Sequence, residues 1–174
     1  SNVPITALAF TPDGLNLLVG KGSFMTIYLM SSGIEVDSIR MLPNAIIHGF
    51  KIEEIKHWGA ISFGLVYGQR SLRTLMKTPS GKFQSGASLP RLRDFVKDAR
   101  IVKSLKGIDF VAVGYAHNFV EIWGLGSDGC TSSRLANIIC DEQLVLHSLS
   151  LHGTALQSLT VAAGTVMNEL LLWD

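Results

Sequence analysis

The chain has 174 residues, of which 47% are apolar and 17% charged, a composition that buries a core within one domain and excludes disorder. Its longest apolar runs, such as Leu170 to Trp173, fall far short of the roughly 20 residues that cross a bilayer, and no basic segment followed by an apolar stretch opens it. The formal net charge of +1 hides an asymmetry: Val66 to Lys106 carries ten basic residues against Asp94 and Asp98, and the remainder five basic against twelve acidic. Cys130 and Cys140 are too few for a disulfide framework and lack the paired spacing of a zinc site. They read as free buried thiols, which fits a reducing, cytoplasmic setting.

Strands are expected at Ile5 to Phe10, Asn16 to Gly20, Phe24 to Met30 and Ile34 to Arg40, each bounded by turn residues. A second group runs from Ala45 to Leu89, with Gly59 to Tyr67 as its most apolar strand and Pro79-Ser80-Gly81 as a turn. The segment from about Leu89 to Ala99 is the one place where a helical turn is expected. A third group runs from Asp98 to about Cys140, and a fourth from near Leu144 to Asp174, stopping after its third strand.

These groups are copies of one unit. VGKGSFMTIYLMSSG from Val19, VYGQRSLRTLMKTPSG from Val66, VGYAHNFVEIWGLGSDG from Val113 and AGTVMNELLLWD from Ala163 share an internal order. A β-rich run ends at Gly20, Gly68, Gly114 or Gly164; turn residues follow, then Ser23, Ser71, Asn118 or Asn168, spaced by 48, 47 and 50 residues. Five places on stand Tyr28, Met76, Trp123 and Trp173, so the large residue recurs on one face of one strand. The Leu172-Trp173-Asp174 and Ile122-Trp123-Gly124 endings sit where the WD dipeptide of a propeller blade belongs. The expected fold is all-β: a WD-repeat β-propeller of about three and three-quarter degenerate four-stranded blades, approximately 1–42, 43–90, 95–141 and 142–174. That number does not close a ring, so either the remainder of a longer propeller chain or completion by other chain segments is expected. A β-sandwich with accidental spacing is the alternative.

No catalytic constellation emerges. His48, His57, His117, His147 and His152 have no metal-ligand spacing, serine never occurs as GxSxG, and Gly124-Leu125-Gly126 lies in a strand-to-strand turn rather than before a helix. No metal, cofactor or enzymatic activity is expected. The basic block is the strongest functional signal, because a propeller puts loops between second and third strands on the same face as loops between blades. Arg70 and Arg73 fall at the first kind of loop and Arg91, Arg93 and Lys97 in the second, so the five could form one patch, with Lys77, Lys82, Lys103 and Lys106 towards the opposite face. Arginine forks suit phosphate oxygens, so the patch points to RNA or DNA, with a protein contact as the alternative, and without an RNP-type motif backbone contact is favoured over base reading. The ordinary alternative is a solvated face, or pairing with acidic residues elsewhere.

Beyond generic blades, several strings resemble the N-terminal propeller of the WD-repeat protein 6 family. They include Ile47-His48-Gly49-Phe50, Asp98-Ala99-Arg100, Gly114 with His117-Asn118, then Cys140, Leu144, Ser148, Leu151, Gly153, the run Leu159 to Val166, Asn168 and Leu170 to Trp173. The resemblance spans most of the chain and is weakest from Arg70 to Lys97. It implies a non-catalytic scaffold that helps hold tRNA for methylation of the wobble-position ribose, while an FtsJ-like tRNA methyltransferase partner supplies S-adenosylmethionine binding and the chemistry. A protein-only adaptor, as in ubiquitin-ligase or trafficking complexes, is the alternative use of the fold.

Overall fold

The structure, a computed structural model, describes residues 3–53, 62–89, 92–102, 110–117, 119–126, 132–139, 146–152, 158 and 160–173. The chain divides into two compact units, Ser1–Arg91 and Leu92–Asp174.

The first unit holds two antiparallel meanders. Strands β1 (Ile5–Phe10), β2 (Asn16–Lys21), β3 (Phe24–Leu29) and β4 (Ile34–Arg40) pair in chain order, and so do β5 (Gly49–Glu53), β6 (Ser62–Gly68), β7 (Ser71–Lys77) and β8 (Phe83–Leu89). Short connections and β-branched or aromatic residues make each meander local, and β1 lies beside β5. Leu18, Met25, Ile27, Met41, Leu42, Ala45, Ile47, Val66, Leu75 and Phe83 form one buried cluster that joins both sheets. The fourth strand is bulged in each sheet: Ile27 faces Asp37 but Tyr28 faces Glu35, leaving Val36 as the extra residue, and the register between β7 and β8 shifts between Arg73 and Leu75.

The second unit repeats the pattern with β9 (Val96–Val102), β10 (Phe110–Tyr115), β11 (Phe119–Leu125) and β12 (Ser132–Ile139), followed by a sheet of β13 (Leu146–His152), β14 (Thr160–Thr165) and β15 (Leu170–Trp173). Strand β10 is apolar and buried almost throughout, as befits a strand covered on both faces. Strand β12 is bulged where Ile122 faces Ala136 and Trp123 faces Arg134. Among the described residues the fourth sheet has three strands.

The helical turn expected between Leu89 and Ala99 is absent from the described residues there. Strand β8 continues to Leu89, Leu92 to Phe95 is a bend, and β9 starts at Val96. The alternation of buried Val96, exposed Lys97 and buried Asp98 satisfies a half-covered strand better than a helical face. Residues 90 and 91, and both cysteines, lie outside the described residues.

Lys77 is 5% exposed, its Nζ donating to Asp13 Oδ2 at 2.6 Å and to Asn16 Oδ1 at 2.9 Å, so that β7 is tied to the β1–β2 turn. That turn is prepared by Thr11-Pro12-Asp13-Gly14: Asp13 accepts from Thr11 Oγ1 and from the Leu15 N–H, and Gly14 takes a φ of 68°. Burial alone would push the Asp13 carboxyl up, but the hydrogen bonds from Lys77, Thr11 and Leu15, with the Lys77 charge, bring it down to about 2 from an ordinary 3.8. Its folded value lies below its unfolded one, so the stabilisation is full above pH 3.8 and is lost as pH falls towards about 2. Urea midpoints measured down this window are expected to show a loss on the order of 1–2 kcal/mol, and Asp13→Asn to remove that part of the pH dependence.

Candidate nucleic-acid interface

The topological premise behind a basic patch holds within each unit. In the first, the segment between sheets crosses the β2–β3 turn: Met41 and Leu42 donate backbone N–H to Ser23 O at 3.0 and 3.2 Å, and Ile47 to Gly22 O at 2.8 Å. In the second, the segment before β9 meets the β10–β11 turn. Ala116 N donates to Phe95 O at 2.9 Å, and Asp94 Oδ2 accepts from His117 N at 3.0 Å and stands 2.5 Å from His117 Nδ1. Burial opposes ionisation of Asp94, but the His117 and Phe95 hydrogen bonds outweigh it and hold its carboxyl below the usual range.

Arg70 and Arg73 belong to the first unit. Arg70 is exposed in the two-residue turn between β6 and β7, beside Gln69, whose φ of 47° leaves the ordinary L-residue region. Arg73 lies on β7 opposite Val66, half-buried, with an Nε that is buried and has no hydrogen-bond partner among the described residues. Arg93 and Lys97 belong to the second unit, Lys97 projecting from β9 to solvent. Arg91 lies outside the described residues.

Arg93 is both exposed and paired. Its guanidinium is 47% exposed, yet Nε stands 3.4 Å from Glu121 Oε1 and the group lies 5.9 Å above the Phe119 ring. Glu121 is 1% exposed and is the centre of a network that the basic residues alone did not reveal. Its Oε2 accepts a short hydrogen bond from the buried Tyr115 hydroxyl and another from Trp123 Nε1 at 3.3 Å; its Oε1 faces Arg93 and, at 3.3 Å, Arg134 Nη1. Burial, then Glu121, push the Tyr115 phenol far above the ordinary tyrosine range, so it stays a donor. The signal available in the sequence was the single acid inside the apolar run Phe119-Val120-Glu121-Ile122-Trp123, because a buried charge must be paired. Among the described residues no group of three or more His, Cys, Asp or Glu could hold a metal ion.

No family model matches the chain. Among curated proteins, the tRNA (34-2′-O)-methyltransferase regulator WDR6 of Pongo abelii is 28% identical over 180 residues, that of Rattus norvegicus 28% over 183 and that of Homo sapiens 27% over 180. Each match takes in 98% of this chain. The chain is similar to these regulators along nearly its whole length. It spans 15% of their length. Among solved structures, the β-propeller domain of Myceliophteria thermophila Cps50 (Swd1) superposes with a TM-score of 0.69 at 14% identity, covering 97% of this chain and 53% of that one. Saccharomyces cerevisiae Sqt1 gives 0.72 at 9% identity, covering 98% and 44%. The fold is therefore part of a WD-repeat β-propeller, and the similarity to the regulators agrees with the resemblance carried by the sequence strings.

Proposed function

We propose that the chain is part of a non-catalytic scaffold that holds tRNA and an FtsJ-like methyltransferase for 2′-O-ribose methylation at the wobble position. The observation that carries this reading is the similarity, over 98% of the chain, to proteins named as regulators of tRNA 34-2′-O methylation. The propeller fold supports it physically: loops between strands display residues without needing a cleft of acids and bases. In this reading Arg70, Arg73, Arg91, Arg93 and Lys97 contact the tRNA backbone, where arginine forks and lysine ammonium groups replace condensed counterions.

The test is reconstitution of the full-length protein with the methyltransferase and tRNA, following ribose methylation and tRNA binding across a salt series. Changing Arg70, Arg73 and Lys97 together to Ala is expected to weaken tRNA binding by about tenfold or more. The salt slope should flatten by about 0.7 to 0.9 for every phosphate that is no longer neutralised. Full-length protein that neither binds tRNA nor raises methylation would overturn the reading. Methyltransferase binding that persists unchanged without the cations, with no tRNA affinity to lose, would favour a protein-only adaptor.

A further inference from the structure

We propose that Arg93 and Arg134 form a clamp for one phosphodiester of an RNA strand on the second unit, held open by Glu121 and flanked by Phe119. The proposal rests on the RNA-binding reading above and adds to Arg93 a partner that the basic block did not include, Arg134 from the outer strand β12.

Glu121 Oε1 is shared by the two guanidiniums, at 3.4 Å from Arg93 Nε and 3.3 Å from Arg134 Nη1, so the two cationic heads are held beside each other. Glu121 brings one negative charge to two guanidiniums. Glu121 is 1% exposed, whereas Arg93 and Arg134 are 47% and 45% exposed, so an incoming anion meets the arginines and not the acid behind them. The acid's other oxygen is occupied by Tyr115 and Trp123, which fixes its rotamer and through it both arginines. Two long side chains that are already ordered lose less entropy on binding than free ones.

The choice of RNA over an acidic peptide comes from the rings. Phe119 stacks on Tyr115 with centroids 4.5 Å apart and has Arg93 above it, and Phe95, two residues from Arg93, is 50% exposed. Phe119 has its faces taken up by Tyr115 and Arg93 and serves to seat the guanidinium; the exposed Phe95 is the ring left for an unstacked base, with the phosphate on the cation. A carboxylate peptide would use the forks but has no need of the rings.

Binding of a fluorescent single-stranded RNA oligonucleotide and of a tRNA transcript to the full-length protein tests this. Arg134→Ala is expected to weaken both about tenfold and to flatten the salt slope by about 0.7. Arg134→Gln keeps a donor for Glu121 without the charge and should lose binding equally while melting like the wild type. Arg134→Lys should restore the salt slope but not the full affinity, because the planar fork is gone. Wild-type affinity and slope in both Arg134→Ala and Arg134→Gln would overturn the clamp, as would a poly-glutamate peptide that binds where neither RNA does. If the wild-type protein raises methylation while these variants bind RNA normally, the clamp alone fails; if RNA binding follows Arg134 but methylation never responds to the protein, the scaffold reading alone fails.

Discussion

Replacing Glu121 with alanine is expected to cost about 3–5 kcal/mol of stability, read as a fall in the urea midpoint of the second unit. The carboxylate sits in a strand whose neighbours are buried, and its loss strands the Tyr115 hydroxyl and Trp123 Nε1 without their acceptor while opening a void. Arg93 and Arg134 are already half in water and can be rehydrated, so most of the cost comes from the two buried donors. Glu121→Gln keeps an acceptor in place and should recover a large part of the loss. An absorbance titration provides a separate check. Because burial and the neighbouring acid raise the Tyr115 phenol, its deprotonation should be seen only on unfolding, and in Glu121→Gln it should move down towards the ordinary range.

Gly68→Ala is expected to cost about 3 kcal/mol although glycine is not needed there for its backbone angles. A Cβ at Gly68 would overlap the Ile46 carbonyl oxygen and lie 2.8 Å from its carbon and 3.0 Å from His48 N. These are backbone atoms of the segment that enters β5, and they cannot swing aside as a side chain can. The neighbouring bond from His48 N to Tyr67 O, 2.9 Å long, should open, so faster amide exchange at His48 marks the site of damage. Gly33→Ala is the contrast: its φ of 69° is strained for alanine but nothing lies within 4 Å, and about 1 kcal/mol is expected. Equal losses in the two variants would remove the steric explanation.

The recurring glycine is legible in the sequence as a repeat marker, and only the packed fold shows what it touches. Gly20, Gly68, Gly114 and Gly164 all stand near the end of the second strand beside the hairpin turn, Gly68 in its closing pair with Ser71 and Gly20 opposite Met25. At Gly68, and more mildly at Gly20 beneath Ile47, the reason is the strand connection passing overhead. Strand positions followed well because apolar runs broken by turn residues are local information, and β1 to β4 differ from expectation by one residue at most. What the sequence does not show is which charges are buried: Lys77 and Glu121 are, because partners far along the chain, Asp13 for one and Arg93 for the other, stand opposite them. Likewise, in place of a helical turn over Leu89 to Ala99, the chain bends at Leu92 to Phe95 and runs as a strand from Val96, where Val96 and Asp98 face inward. Spacing reveals which residues share a face of one strand, but pairings across sheets depend on the packed fold.

The bulged outer strands bear on how such sheets coexist with one another at high concentration. A regular β4 would expose a straight row of unpaired amides and carbonyls along a segment that also shows Ile34 and Val36 to solvent, a template for a foreign strand to zip onto. The extra residue at Val36 breaks the two-residue rhythm, and Glu35, Asp37 and Arg40 add charge along the same strand. The interruptions opposite Thr74, in β8, and at Leu135, in β12, do the same for their sheets. A strand approaching from outside can keep register for only a few residues before donors and acceptors fall out of step, so each of these blades ends in an edge that resists fibre growth.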